Sequence, residues 1–106
     1  MLKIKIGQET FTLATITVRK LNQTMKFKKK FDILQAQGDK EAEMFDAMVD
    51  YLVEVFSIKK GEEVEYAFDA DYILDNLPLS ELQSTFQYTI NTIMSVFAGE
   101  STSSKN

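Results

Sequence analysis

The chain lacks cysteine, histidine and tryptophan altogether. Without cysteine there are no disulfide bonds, no thiolate metal sites and no cysteine nucleophiles. The absence of histidine removes the commonest metal ligand and the commonest general base. These absences argue against most classes of enzyme, so we predict a non-enzymatic protein that uses no cofactor and no metal.

Long hydrophobic runs are missing as well, since no apolar stretch approaches the roughly 20 residues of a membrane-spanning helix. Residues 1–5 alternate apolar and basic side chains, unlike the apolar block of a signal peptide. We therefore expect no membrane association and a cytoplasmic location. With 106 residues, 44% of them hydrophobic, the chain is long enough for one domain with a modest core and hardly for two.

Charge is unevenly distributed along the chain. Residues 1–31 contain eight basic residues and one acidic residue, for a sum of +7, whereas residues 32–106 contain fifteen acidic residues and four lysines, for a sum of −11. Such asymmetry predicts contact with a charged surface. The first interpretation is that the basic segment pairs with acidic helices inside one fold. The second is head-to-tail association between copies of the chain.

Hydrophobic periodicity predicts a mainly α-helical fold of the α+β class, a small single-domain helical bundle with a short N-terminal β-hairpin, over residues 1–98. Alternation over residues 2–13 predicts the hairpin, and the charged segment 57–65 is predicted to be a connector. Residues 99–106 are small and polar, which predicts a flexible tail. Helical spacing and capping residues predict four helices, at about 17–36, 39–57, 69–77 and 80–97.

The first predicted helix combines lysines with aromatic residues, while Val18, Leu21 and Met25 fit its apolar face. Single-stranded nucleic-acid sites use basic and aromatic side chains for phosphate contacts and base stacking. On a helix, however, Phe27 and Phe31 lie four residues apart and would face the core together, leaving the lysines in solvent. Nucleic-acid binding is therefore the alternative function, less favoured because the chain is acidic overall. The candidates for self-association or nucleic-acid contact are Lys26, Lys28, Lys29 and Lys30.

The last predicted helix contains no charged residue between Glu81 and Glu100. An ordinary exposed helix would place several lysine or glutamate residues on its outer face. Depletion of charge around an exposed aromatic residue is typical of the centre of a protein interface. The alternative is a helix buried in its own fold, where its polar side chains would need partners. We favour the interface, and the candidate partner-binding residues on this helix are Thr85, Tyr88, Asn91, Thr92 and Ser95.

The helix predicted at 39–57 adds two further candidates. Met44 and Tyr51 widen its apolar arc beyond half of the circumference. Such a helix is usually central in a bundle or shared with a partner. We therefore include Met44 and Tyr51 among the interface candidates.

The order of these elements resembles the tail assembly chaperones of long-tailed, siphovirus-type bacteriophages of Gram-positive hosts. The resemblance covers most of residues 1–97. It rests on the N-terminal hairpin followed by residues 16–21 (ITVRKL), on the helix 45–56 (FDAMVDYLVEVF), on the acidic helix 69–77 (DADYILDNL) and on the last helix.

This resemblance implies a protein that binds the tape measure protein and keeps it soluble until the tail tube polymerises around it. It also implies contact with the tail tube subunit and the presence of multiple copies. The implied location is the host-cell cytoplasm, with the protein absent from the mature virion.

Overall fold

The computed structural model describes residues 1–98, which form four helices and two small two-stranded sheets. The predicted α+β class with an N-terminal β-hairpin is confirmed. Each helix begins and ends within two residues of its predicted position. The predicted flexible tail, residues 99–106, lies outside the described residues. The elements in chain order are β1 (Leu2–Ile6), β2 (Glu9–Leu13), α1 (Val18–Gln37), α2 (Glu41–Val55), β3 (Ser57–Lys60), β4 (Glu63–Tyr66), α3 (Ala70–Asn76) and α4 (Leu79–Phe97).

The N-terminal hairpin places its apolar side chains against the helices. β1 and β2 pair antiparallel, with Leu2 opposite Leu13. Because strand side chains alternate between the two faces, the three apolar residues of β1 are buried while Lys3 and Lys5 stay in solvent. Gly7 opens the turn between the strands at φ +63°, a conformation that glycine adopts without steric cost. An isolated hairpin is marginal in water, so its packing on the helices stabilises it.

The core lies between α1, α2, α4 and β1, with Tyr51 near its centre. The Tyr51 ring lies 5.3 Å from that of Phe86 and 5.4 Å from that of Phe27, between ring centroids. Phe31 also packs on Phe86, at 5.2 Å. Phe27 and Phe31 therefore both face inward, as their spacing on the helix predicts.

The apolar face predicted for α1 is wrong at two positions. Val18 is 79% exposed and Met25 is 48% exposed, whereas the buried residues of this helix are Lys20 and Thr24. Thr24 Oγ1 donates a hydrogen bond to the Lys20 carbonyl oxygen at 2.8 Å and lies 2.7 Å from the Tyr51 hydroxyl. These contacts satisfy the Thr24 hydroxyl, so its burial is not costly.

Lys20 reaches from α1 to the junction between α2 and β3. Its Nζ donates hydrogen bonds to the backbone carbonyl oxygens of Ser57 and Glu54. Burial lowers the pKa of the Lys20 amine, with Arg19 adding to that shift and Glu54 opposing it. A cation at the carboxyl end of α2 also interacts favourably with the helix dipole. The Lys20 amine therefore connects α1 to the end of α2 where its charge is stabilising.

Residues 57–65, predicted to be a connector, belong instead to a second hairpin. β3 and β4 pair antiparallel, with Ser57 opposite Tyr66 and Lys60 opposite Glu63. Gly61 forms the turn at φ +66°. Apart from Ser57, every residue of the two strands is exposed, so the segment lacks the apolar face by which a strand is recognised in sequence.

Candidate partner-binding surface

α4 is half buried and half exposed. Its inward face consists of Leu82, Phe86, Thr89, Ile90 and Ile93. Thr89 is the buried hydroxyl of this helix, and its Oγ1 donates a hydrogen bond to the Thr85 carbonyl oxygen at 2.8 Å. The helix is therefore not enclosed on all sides, and its polar residues largely face solvent.

The predicted binding residues of α4 share one strip, which we call the α4 face (Thr85, Tyr88, Asn91, Thr92 and Ser95). Tyr88 is 50% exposed, Asn91 and Ser95 are exposed, and the two threonines are half-buried. Four of the five residues line a shallow depression of about 590 Å³, together with Val96. These residues lie together at the surface, and whether they bind a partner stays a prediction.

The polar groups of the α4 face and its surroundings are available for hydrogen bonds. Asn91 Oδ1 accepts a hydrogen bond from Gln87 Nε2 at 3.1 Å, between exposed side chains that a partner can also contact. Tyr88 adds a half-exposed ring with a hydroxyl, which is the type of side chain enriched at energetically important interface positions. With no formal charge on the strip, covering it requires no ion to be desolvated.

The prediction that Tyr51 is an interface residue is wrong. Its side chain is 0% exposed, because the ring packs on Phe27 and Phe86 and the hydroxyl contacts Thr24. The wide apolar arc of α2 therefore reflects a central position in the bundle. Met44 is half-buried near the start of α2 and does not line the depression on the α4 face.

The four candidate lysines of α1 are all exposed. Lys28 Nζ lies 3.7 Å from the Asp32 carboxylate, and Lys30 Nζ lies 5.8 Å from the centre of the Phe27 ring. Among residues 1–98 the ion pairs are local, and none joins this basic segment to α2, α3 or α4. Apart from Lys20, whose amine is attracted electrostatically by Glu54, direct pairing within the described chain therefore does not account for the charge asymmetry.

Two further findings concern the described part of the chain. None of its helices combines the length and the hydropathy that crossing a bilayer requires. Over the same residues, no group of three or more acidic side chains converges to hold a metal ion.

Comparison with known proteins identifies the family of this chain. A family model described as phage tail chaperone protein matches residues 1–106, the full length of the chain. The chain belongs to the phage tail chaperone family. No curated protein and no solved structure matches it. Family membership assigns this tail chaperone to bacteriophage tail assembly, a role in which its partners are proteins.

Part of the surface of this tail chaperone could not be read from its sequence. Thr85 and Tyr88 line a second recess of about 360 Å³, to which β1 contributes Lys3 and Lys5. The α4 face is therefore continuous with a basic strand edge. Alternation in β1 predicts that both lysines face solvent, but the sequence does not reveal which helix lies beside them.

Proposed function

We propose that this chain is a non-enzymatic tail assembly chaperone of a siphovirus-type phage of a Gram-positive host, and that it binds the tape measure protein. It also contacts the tail tube subunit. It acts in multiple copies in the host-cell cytoplasm and is absent from the mature virion. The observation that carries this proposal is the exposed, uncharged α4 face on a chain that belongs to the phage tail chaperones.

The shape and chemistry of the α4 face suit contact with a helix. A tape measure protein is a long helical chain that offers similar helix faces repeatedly along its length. A shallow depression around Tyr88 and Thr92 accepts one such face, in the manner of helix-in-groove recognition. Repeated weak contacts gain strength by avidity, and each remains displaceable when tube subunits arrive.

Multiple copies are supported by the unpaired poles of charge. Lys26, Lys28, Lys29 and Lys30 of α1 are exposed, and the acidic residues of α2 and α3 form no ion pair with them within the described chain. Opposite poles on one molecule favour head-to-tail contacts between copies. We expect the mass measured by light scattering to grow with protein concentration and to fall with added salt. A strict monomer under all conditions would contradict association.

The test of partner binding uses two substitutions on the α4 face. Tyr88→Glu and Thr92→Lys introduce charge at positions that reach the surface, so the fold should persist, as judged by circular dichroism. We expect each variant to lose co-purification with the tape measure protein of the same phage by at least about tenfold, because a partner would bury an unpaired charge.

The matched control for Tyr88→Glu is Leu74→Glu, which places the same negative charge on α3 at a side chain that is 64% exposed. This variant should co-purify with the tape measure protein as the wild type does. If Tyr88→Glu and Thr92→Lys also bind normally, the α4 face is not the binding site.

A further inference from the structure

A second groove runs between α1 and α4, on another side of α4 from the α4 face. We call it the α1–α4 groove, and its volume is about 440 Å³. Its apolar lining comes from Met25, Ile33 and Ala36 of α1 and from Met94 of α4. Met25 and Ile33 are about half exposed, at 48% and 50%, which is high for large apolar side chains at helix positions. The apolar surface here is thus left open by the fold.

The length of the α1–α4 groove along α1 is sufficient for a short helix. Met25 and Ala36 are eleven residues apart on α1, which corresponds to about 16 Å or three helical turns. Methionine side chains at two points of the lining adapt readily to an apolar partner of irregular shape. The groove therefore has room along its length for about three turns of an apolar helix face.

The lining of the α1–α4 groove carries a net positive charge, from two lysines and one aspartate. Lys28 and Lys29 contribute to the lining, and Lys26 and Lys30 lie on the same stretch of α1. Asp32 is the acidic group among the lining residues, and it is already paired with Lys28 at 3.7 Å. Residues 32–98, by contrast, hold fourteen acidic residues and three lysines, for a sum of −11. An acidic partner is attracted to this groove and repelled by much of the remaining surface.

We propose that the α1–α4 groove binds an amphipathic helix of a partner protein whose apolar stripe is flanked by aspartate or glutamate. The apolar stripe covers Met25 and Ile33, and the acidic flank meets the lysines of α1. This proposal does not depend on the function of the α4 face, because the two surfaces have different lining residues.

The same observations disfavour single-stranded nucleic acid as the occupant. Base stacking requires exposed aromatic rings, but Phe27 and Phe31 pack inward on Tyr51 and Phe86, at 5.4 and 5.2 Å. The open apolar side chains of the groove are aliphatic. Lysines around an aliphatic groove suit a protein helix better than a nucleic-acid strand.

The experiment uses a designed helical peptide of about 18 residues, or five turns. The peptide carries leucine at helical spacing, glutamate on the flanks and one tryptophan in the apolar stripe. Because the protein contains no tryptophan, fluorescence excited at the long-wavelength edge of the indole band, where its four tyrosines do not absorb, reports the peptide alone. We expect saturable binding with a blue shift of emission, weakened by salt. A matched peptide with lysine flanks should bind at least about tenfold more weakly.

Two variants test the assignment to the groove. Ile33→Glu should weaken binding of the glutamate peptide at least about tenfold. Lys29→Glu should reduce the ratio of the affinity for the glutamate peptide to the affinity for the lysine peptide. Leu74→Glu and Lys59→Glu, which make the same changes at exposed positions outside the groove, should bind as the wild type does. Tyr88→Glu changes the α4 face and lies outside the α1–α4 groove, so it should also leave peptide binding intact.

Three results would overturn the proposal. The first is equal binding of the two peptides to the wild type. The second is unchanged binding by Ile33→Glu with its circular dichroism spectrum intact. The third is tighter binding of an oligothymidylate strand than of the glutamate peptide, lost in Lys29→Glu, which would assign these lysines to nucleic acid.

Discussion

The hydrogen bond between Thr24 and Tyr51 joins α1 to α2 inside the core, and its two ends should respond differently to mutation. Both side chains are 0% exposed, and their oxygens are 2.7 Å apart. The Thr24 hydroxyl proton is already donated to the Lys20 carbonyl oxygen, at 2.8 Å. Since a threonine hydroxyl has one proton, the Tyr51 hydroxyl is the donor to Thr24 Oγ1.

The expected magnitudes follow from that direction. Tyr51→Phe removes the donor and leaves Thr24 Oγ1 still bonded to Lys20, so we expect a loss of about 1 kcal/mol in the free energy of unfolding. Thr24→Val keeps the shape but leaves the Tyr51 hydroxyl buried without an acceptor, which costs about 1–3 kcal/mol. The double variant has no hydroxyl left to satisfy, so it should be less destabilised than the sum of the single variants.

The assay is urea unfolding followed by far-ultraviolet circular dichroism. The free energies of unfolding are compared among variants whose m-value, the slope of that free energy against urea concentration, is the same. Tyr88→Phe is the matched control, because that side chain is half exposed, so we expect a change within about 0.5 kcal/mol. If the two core substitutions prove additive within about 0.5 kcal/mol, the reasoning about an orphaned Tyr51 hydroxyl is refuted.

The same pair gives the protein a defined response to alkaline pH. Burial raises the pKa of Tyr51 to about 12. A raised pKa means that the neutral phenol is favoured in the folded state. Its contribution to stability is therefore complete below pH ~10, the unfolded value, and is lost as pH rises to about 12. The stability advantage of the wild type over Tyr51→Phe should shrink and then reverse over that interval, by at most about 3 kcal/mol.

Two further predictions concern polar side chains that form hydrogen bonds with backbone groups at helix ends. Lys20→Met removes the donor to the Glu54 and Ser57 carbonyls while keeping the aliphatic stem, and we expect urea unfolding to show a loss of about 1–2 kcal/mol. The exposed neighbour Arg19→Met should change stability by no more than about 0.5 kcal/mol, and equal losses would contradict the role of the Lys20 amine. Asp69 accepts a hydrogen bond from the Tyr72 amide at 2.8 Å. Asp69→Ala should therefore lower the free energy of unfolding, measured by thermal denaturation, by about 1 kcal/mol. Asp69→Asn should retain most of that stability, and an equal loss would argue against capping.

The sequence predicts the helices well and the second hairpin badly, for one physical reason. α2 and α4 each bury one face, which leaves a 3.6-residue repeat of apolar side chains in the sequence. In β3 and β4 the apolar side chains of Ile58, Val64 and Tyr66 remain exposed, so no buried face imposes alternation on the sequence. Gly61, which the turn needs at positive φ, was the remaining local signal.

α1 shows a different limit of sequence reasoning. Its periodicity points to Val18 and Met25, yet the structure buries Lys20 and Thr24 because α2 and β3 supply their hydrogen-bond partners. Polar burial of this kind depends on contacts between distant segments, which one sequence does not display. The candidate site divides in the same way. The uncharged run of α4 is visible in the sequence, whereas the α1–α4 groove exists only once the two helices have docked.

The exposed hairpin β3–β4 offers a place to modify the protein without touching either proposed binding surface. Among residues 1–98, no atom beyond the immediate chain neighbours lies within 4 Å of a Cβ built at Gly61, and neither the α4 face nor the α1–α4 groove includes this turn. Lengthening an exposed loop carries a small entropic cost, about 0.6 kcal/mol for each doubling. A short epitope or fluorophore-binding sequence inserted between Gly61 and Glu62 would therefore let the chaperone be followed during tail assembly in infected cells.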